Sequence, residues 1–151
     1  MNRPSAWIKR IYIVTVLALL VSGLAQMPIF KRYYVADIPG LGWLAQYYLT
    51  HQIHYIAAAV FMALTAYVAV MHLGRWNREM RVTVWGHARN LLVVGIIVTG
   101  VLRTLKNMPW VFFGPDLVMI VDWLHLGFVM LLGMLALAVL VAKGKRYVAK
   151  A

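Results

Sequence analysis

The sequence predicts an all-α integral membrane protein: a four-helix bundle in one domain over residues 1 to 151, with both termini cytoplasmic. Three observations predict it. Apolar residues make up 64% of the chain against 13% charged, and mean hydropathy is +0.78, far too apolar for a water-soluble domain of 151 residues. Four apolar runs are long enough to cross a bilayer. The 15 Lys and Arg residues fall mostly between those runs or at their ends.

The net charge of +11 does not point to nucleic acid, which needs a basic face on a soluble domain. Cationic loops around apolar spans report topology instead. The chain has no cysteine, which excludes disulfides, thiolate iron–sulfur ligation, covalent c-type haem and a cysteine nucleophile. A redox centre held by this chain must use histidine, methionine or tyrosine.

The first span is expected over roughly residues 8 to 28, after a basic head of Arg3, Lys9 and Arg10 and ending near Pro28. Taken alone it resembles a secretory signal peptide with Gly23 and Ala25 at small cleavage positions; we read it as a transmembrane helix. Residues 29 to 48 hold Pro39, Gly40, Gly42 and several aromatics, and suit an ordered interfacial loop or short surface helix with Trp43, Tyr47 and Tyr48 at the headgroups.

The second span runs from about residue 49 to 73 and is expected to stop at Gly74. The following stretch, with Arg75, Arg78, Glu79, Arg81 and Arg89, must lie outside the hydrocarbon. The third span covers about 85 to 106, with Gly95 and Gly100 inside it, and the fourth about 117 to 142, before a basic tail. No internal repeat or low-complexity linker stands out.

Four spans place both termini on one side. That side holds Arg3, Lys9, Arg10, Arg75, Arg78, Arg81, Arg89, Lys143, Lys145, Arg146 and Lys150, whereas the other holds only Lys31, Arg32, Arg103 and Lys106. The bias makes the side of the termini cytoplasmic.

The five histidines then fall into two groups, His51, His54 and His125 towards the outer surface and His72 and His87 towards the inner. At about 100° and 1.5 Å per residue, His54 and His72 leave one helix face about 27 Å apart, close to the depth of a bilayer core. His51 is about 60° off that line and reads as a residue reaching for the headgroups. A b-type haem needs two imidazoles facing each other across a dry slot between helices. The economical pairs are His54 with His125 for an outer haem and His72 with His87 for an inner one.

Arg103 and Lys106 at the outer end, and Arg89 at the inner end, suit charge-assisted pairing with haem propionates, although positive flanking explains them as well. Asp122, one turn before His125, needs a partner, for which Arg103 is placed. Gly95, Gly100, Gly127 and Gly133 leave room for a macrocycle or for close helix packing. The nine methionines read as packing rather than ligands.

The four spans, the aromatic loop SGLAQMPIFKRYYVADIPGLGW, His51 and His54 at the start of the second span and His125 in the fourth resemble a known family. These are the four-helix di-haem cytochrome b proteins similar to the gamma subunit of respiratory formate dehydrogenase, the cytochrome b subunit of nickel–iron hydrogenase and prokaryotic cytochrome b561-like proteins. The resemblance covers nearly the whole chain. It implies a subunit of a respiratory oxidoreductase in the bacterial cytoplasmic membrane, with two b haems passing electrons between quinone and an iron–sulfur or multihaem cytochrome partner at the outer surface. Such a subunit is not a stand-alone enzyme. The outer histidines carry over. The inner ones do not, because the formate dehydrogenase type takes inner ligands from the first helix and from a second histidine in the fourth, and this chain has neither. His72 and His87 are therefore inferred from placement alone, and one haem is an open alternative to two. Quinone is expected beside the inner haem, with His72, Arg75, Trp76 and Asn90 as candidates. A haem-free membrane anchor or assembly subunit, with histidines that pack or face headgroups, is the alternative the residues leave open.

Overall fold

A computed structural model describes residues 6–27, 29–76, 80–142 and 146–150. Arg3, Pro28, Arg78, Glu79, Lys143 and Lys145 lie outside the described residues, as do the side chains of Arg75 and Trp76. The helices are α1 (Ala6–Gln26), the short α2 (Ile29–Arg32), α3 (Tyr47–Met71), α4 (Val84–Leu105) and α5 (Pro115–Val141). Among the described residues, the four long ones are long and apolar enough to cross a membrane, so this is an integral membrane protein. The chain divides into two compact units, Met1–Leu73 and Gly74–Ala151, each built on one helical hairpin.

In the first unit α1 packs along α3. The buried side chains there are mostly small: Thr15, Ser22 and Ala25 on α1, and Thr50, Ala57 and Phe61 on α3. Small residues let two backbones approach closely, which is how helices associate where lipid is as apolar as leucine. Phe61 is the exception, and its ring lies 6.2 Å from that of Tyr12. Large apolar side chains such as Val14, Ile56 and Val70 point outward, as expected where the surrounding medium is acyl chain. Two threonine hydroxyls bond within their own helix, buried Thr50 to the carbonyls of Gln46 and Tyr47 and half-buried Thr65 to that of Phe61.

The loop of this hairpin is ordered by α2 and two 3-10 turns, Val35–Asp37 and Gly42–Ala45. Tyr34 and Gly40 take positive φ values of 58° and 87°, and Leu44 is the buried anchor. Tyr33, Tyr34, Tyr47 and Tyr48 remain exposed. At its far end α3 does not stop in a left-handed glycine cap. It widens into one turn of π-helix, His72–Trp76, with Gly74 inside it, and Gly74 is not among the glycines with positive φ.

In the second unit α4 packs along α5. Thr83 caps α4, its hydroxyl oxygen accepting from the Gly86 amide at 3.1 Å. Pro115 opens α5, where its missing N–H costs nothing and its fixed φ is already helical. One feature departs from a purely helical reading. The strands β1 (Met80–Val82) and β2 (Val148–Lys150) pair antiparallel, with Val82 opposite Val148. The pairing continues as Thr83 N–H donates to the Tyr147 carbonyl at 3.1 Å, while the Thr83 hydroxyl donates to the Arg146 carbonyl. The Arg89 guanidinium lies 5.2 Å from the Tyr147 ring centroid. Three-residue strands are too short for alternation to show in a sequence.

A Cβ on Gly86 would collide with the Tyr147 carbonyl and the Val82 side chain, whereas one on Gly127 meets nothing within 4 Å. Gly86→Ala is therefore expected to loosen the β ribbon and speed amide exchange at Val148 and Lys150. Gly127→Ala leaves that exchange unchanged and removes a helix-interior glycine worth about 1 kcal/mol. Amide hydrogen exchange by mass spectrometry, with thermal unfolding in detergent, checks both.

Candidate functional site

Each hairpin holds one of its histidines, towards the loop end, in the same way. In the first unit, His54 on α3 faces Ser22 on α1, with Ser22 Oγ 2.9 Å from His54 Nδ1. In the second, His125 on α5 faces Thr99 on α4, with Thr99 Oγ1 2.9 Å from His125 Nδ1. Ser22 and Thr99 are both buried, and the two imidazoles are half-buried.

The hydroxyls are engaged on their other side as well. Ser22 Oγ bonds the Ala18 carbonyl one turn back at 2.5 Å, and Thr99 Oγ1 bonds the Gly95 carbonyl at 2.7 Å. A hydroxyl has one hydrogen, and a carbonyl can only accept. The hydrogen therefore goes to the carbonyl, and the oxygen accepts from Nδ1–H of the imidazole. In the neutral ring this puts the lone pair on Nε2, the nitrogen a metal would take.

A glycine follows each hydroxyl residue. A Cβ on Gly23 would lie 3.3 Å from His54 Cε1, and one on Gly100 would lie 3.4 Å from His125 Cε1. The imidazoles thus lie against bare backbone on one edge. Gly95, by contrast, accommodates the Phe128 ring at 2.8 Å from an added Cβ, which is ordinary helix packing, and Gly127 and Gly133 face open space.

One turn towards the loop the hairpins diverge. In the first unit His51 Nδ1 lies 3.3 Å from Gln26 Oε1, with the imidazole stacked on Tyr47 at 5.3 Å and against Tyr55 at 4.2 Å. In the second, Asp122 receives Arg103 Nε at 2.8 Å and Lys106 Nζ at 3.1 Å. Arg103 is thus the partner of Asp122, and Lys106 joins it. An arginine has five donors, so this pair occupies only part of what Arg103 offers.

The correspondence is exact in spacing. Gln26 and Arg103 each follow the hydroxyl residue by four positions, and His51 and Asp122 each precede the anchored histidine by three. The sequence carries the signal in Val21-Ser22-Gly23 and Val98-Thr99-Gly100, each followed by Met-Pro at residues 27–28 and 108–109. The second copy has four extra residues between glycine and methionine, about one helical turn. The two hairpins therefore share a short, degenerate motif, too sparse in identity to stand out as an internal repeat.

His72 begins the π turn after α3 and is half-buried. His87 lies in the first turn of α4 and is exposed, as is Asn90. Arg89 stacks over Tyr147. Among the described residues, the hydroxyl-to-carbonyl anchor is found at His54 and His125 and not at His72 or His87. No group of three or more His, Cys, Asp or Glu that could hold a metal occurs among the described residues, and bis-imidazole haem needs only two. Taken singly, His54 and His125 each present an imidazole contacted at Nδ1 by a hydroxyl of the neighbouring helix, a side chain whose Nε2 could ligate a metal. No protein-family model, curated protein or solved structure matches the chain.

Asp122→Asn keeps the side-chain shape but leaves Arg103 and Lys106 together without a counter-charge. It is expected to lower the thermal midpoint in detergent more than Lys106→Met, which leaves the Arg103–Asp122 pair intact. Circular dichroism melts of the two variants make the comparison.

Proposed function

We propose that this protein is a b-type cytochrome subunit of a respiratory membrane complex, carrying electrons between quinone and a redox partner at the outer face of a bacterial cytoplasmic membrane. The matched anchoring of His54 and His125, each with its Nε2 lone pair fixed, carries the proposal. Each is an imidazole of the kind a low-spin b haem would take as a ligand, and the proposal assigns both to one outer haem. A haem held by these residues would supply one-electron transfer chemistry.

The chain's own residues would orient the imidazoles through Ser22 and Thr99 and supply positive charge for propionates through Arg103 and Lys106. Arg103 and Lys106 bring two cations against the single carboxylate of Asp122 one turn from His125, an excess of positive charge suited to a propionate. His72 and His87 are the proposed axial pair of a second, inner haem, with Arg89 near its propionates. The quinone would bind beside it, near His72, Arg75, Trp76 and Asn90. The partner would be an iron–sulfur or multihaem cytochrome subunit. In this reading both termini are cytoplasmic, as the bias of eleven basic residues on their side against four on the other indicates.

A reduced-minus-oxidised spectrum of the purified full chain is expected to show a b-type α-band, and its absence together with an absence of iron would sink the proposal. His54→Ala or His125→Ala is expected to remove the outer haem. His72→Ala or His87→Ala is expected to remove the inner one, so a haem content unchanged by both inner substitutions limits the protein to a single haem.

A further inference from the structure

We infer that Ser22 and Thr99 are positioning residues: through hydroxyls tied to their own helix backbones, they hold His54 and His125 in the Nδ1–H form and set how strongly each Nε2 can donate to a metal. The consequence for a metal rests on the haem reading; the tautomer does not.

A free neutral imidazole favours the proton on Nε2, which would leave the wrong nitrogen for ligation from the ring's far edge. In each hairpin the hydroxyl reverses that preference, joined at His125 by the backbone of Ile96. Its one hydrogen goes to the carbonyl of Ala18 or Gly95, and in an α-helix that carbonyl already accepts a backbone N–H, so its second lone pair is used. Turning the hydroxyl round to donate to Nδ1 would break this bond in a medium with no water to replace it. The 2.9 Å contacts to Nδ1 are therefore acceptor contacts at the oxygen. Ser22 and Thr50 are the most deeply buried side chains of the described protein, yet Thr50 bonds only along its own helix. Burial of a hydroxyl alone does not produce the arrangement; it also needs a histidine on the facing helix and a glycine beside the hydroxyl residue. That combination occurs once in each unit, with Ser in one and Thr in the other, as expected where the hydroxyl rather than the methyl group matters.

An Nδ1–H that donates to an oxygen makes Nε2 more basic, which stabilises ferric over ferrous iron and lowers the midpoint potential. Removing the acceptor reverses this. Ser22→Ala and Thr99→Val are expected to retain a b-type spectrum and to raise the potential of the haem they face, whereas Ser22→Thr and Thr99→Ser keep it at the wild-type value. A second measurement reads the tautomer directly: long-range ¹H–¹⁵N correlation on histidine-labelled full-length protein prepared without haem. It is expected to show the proton on Nδ1 for His54 and His125, and a shift towards Nε2–H in the hydroxyl-less variants.

The outcomes separate the two ideas. A pigmented wild type whose hydroxyl-less variants keep its potential overturns the inference and leaves the cytochrome reading intact. A wild type with no pigment overturns the cytochrome reading, and the nitrogen spectra then decide the inference: Nε2–H at both histidines defeats it, and Nδ1–H at both sustains it.

Discussion

Inside a bilayer a serine or threonine hydroxyl has one hydrogen to give and no water to receive it, so where that hydrogen goes determines what the oxygen can do. In both hairpins of this protein it goes to a carbonyl one turn back on the same helix. The oxygen is then an acceptor facing across the hairpin, and the histidine opposite must offer Nδ1–H. Helix packing, ring orientation and the availability of Nε2 all follow from that choice. The glycine next to each hydroxyl residue belongs to the same design, since a side chain there would press on the imidazole edge.

The two hairpins share this layer and differ in the next. Gln26 with His51 makes a neutral layer framed by tyrosines, while Arg103 and Lys106 with Asp122 make a cationic one. A common scaffold with unlike charge beside each histidine places two imidazoles held in the same way in different electrostatic surroundings.

Much of the fold was legible because a bilayer imposes length and composition together. Each long helix begins and ends within about two residues of the span expected from its apolar run. His54 and His125 were legible too, as imidazoles too costly to leave unpaired among apolar neighbours. Less visible was what holds them. Ser22 and Thr99 sit in apolar runs where a lone hydroxyl carries no pattern, and the tripeptides that mark them gain meaning only when the two hairpins are compared. The π turn after α3 and the β ribbon were not legible at all. The ribbon is three residues a side, and its pairing joins positions almost seventy residues apart, for which no local periodicity exists.

By itself, the sequence determined that this chain crosses a membrane, how many helices do so and which imidazoles lie within them, because hydrophobicity and helix length are properties of a segment and its solvent. Only the tertiary structure decided which hydroxyl meets which imidazole, that Asp122 takes both Arg103 and Lys106, and that the C-terminal strand closes over Gly86. Those are contacts between side chains brought to within hydrogen-bond distance by the packing of one helix on another, and distance across a helix pair is not written along either helix.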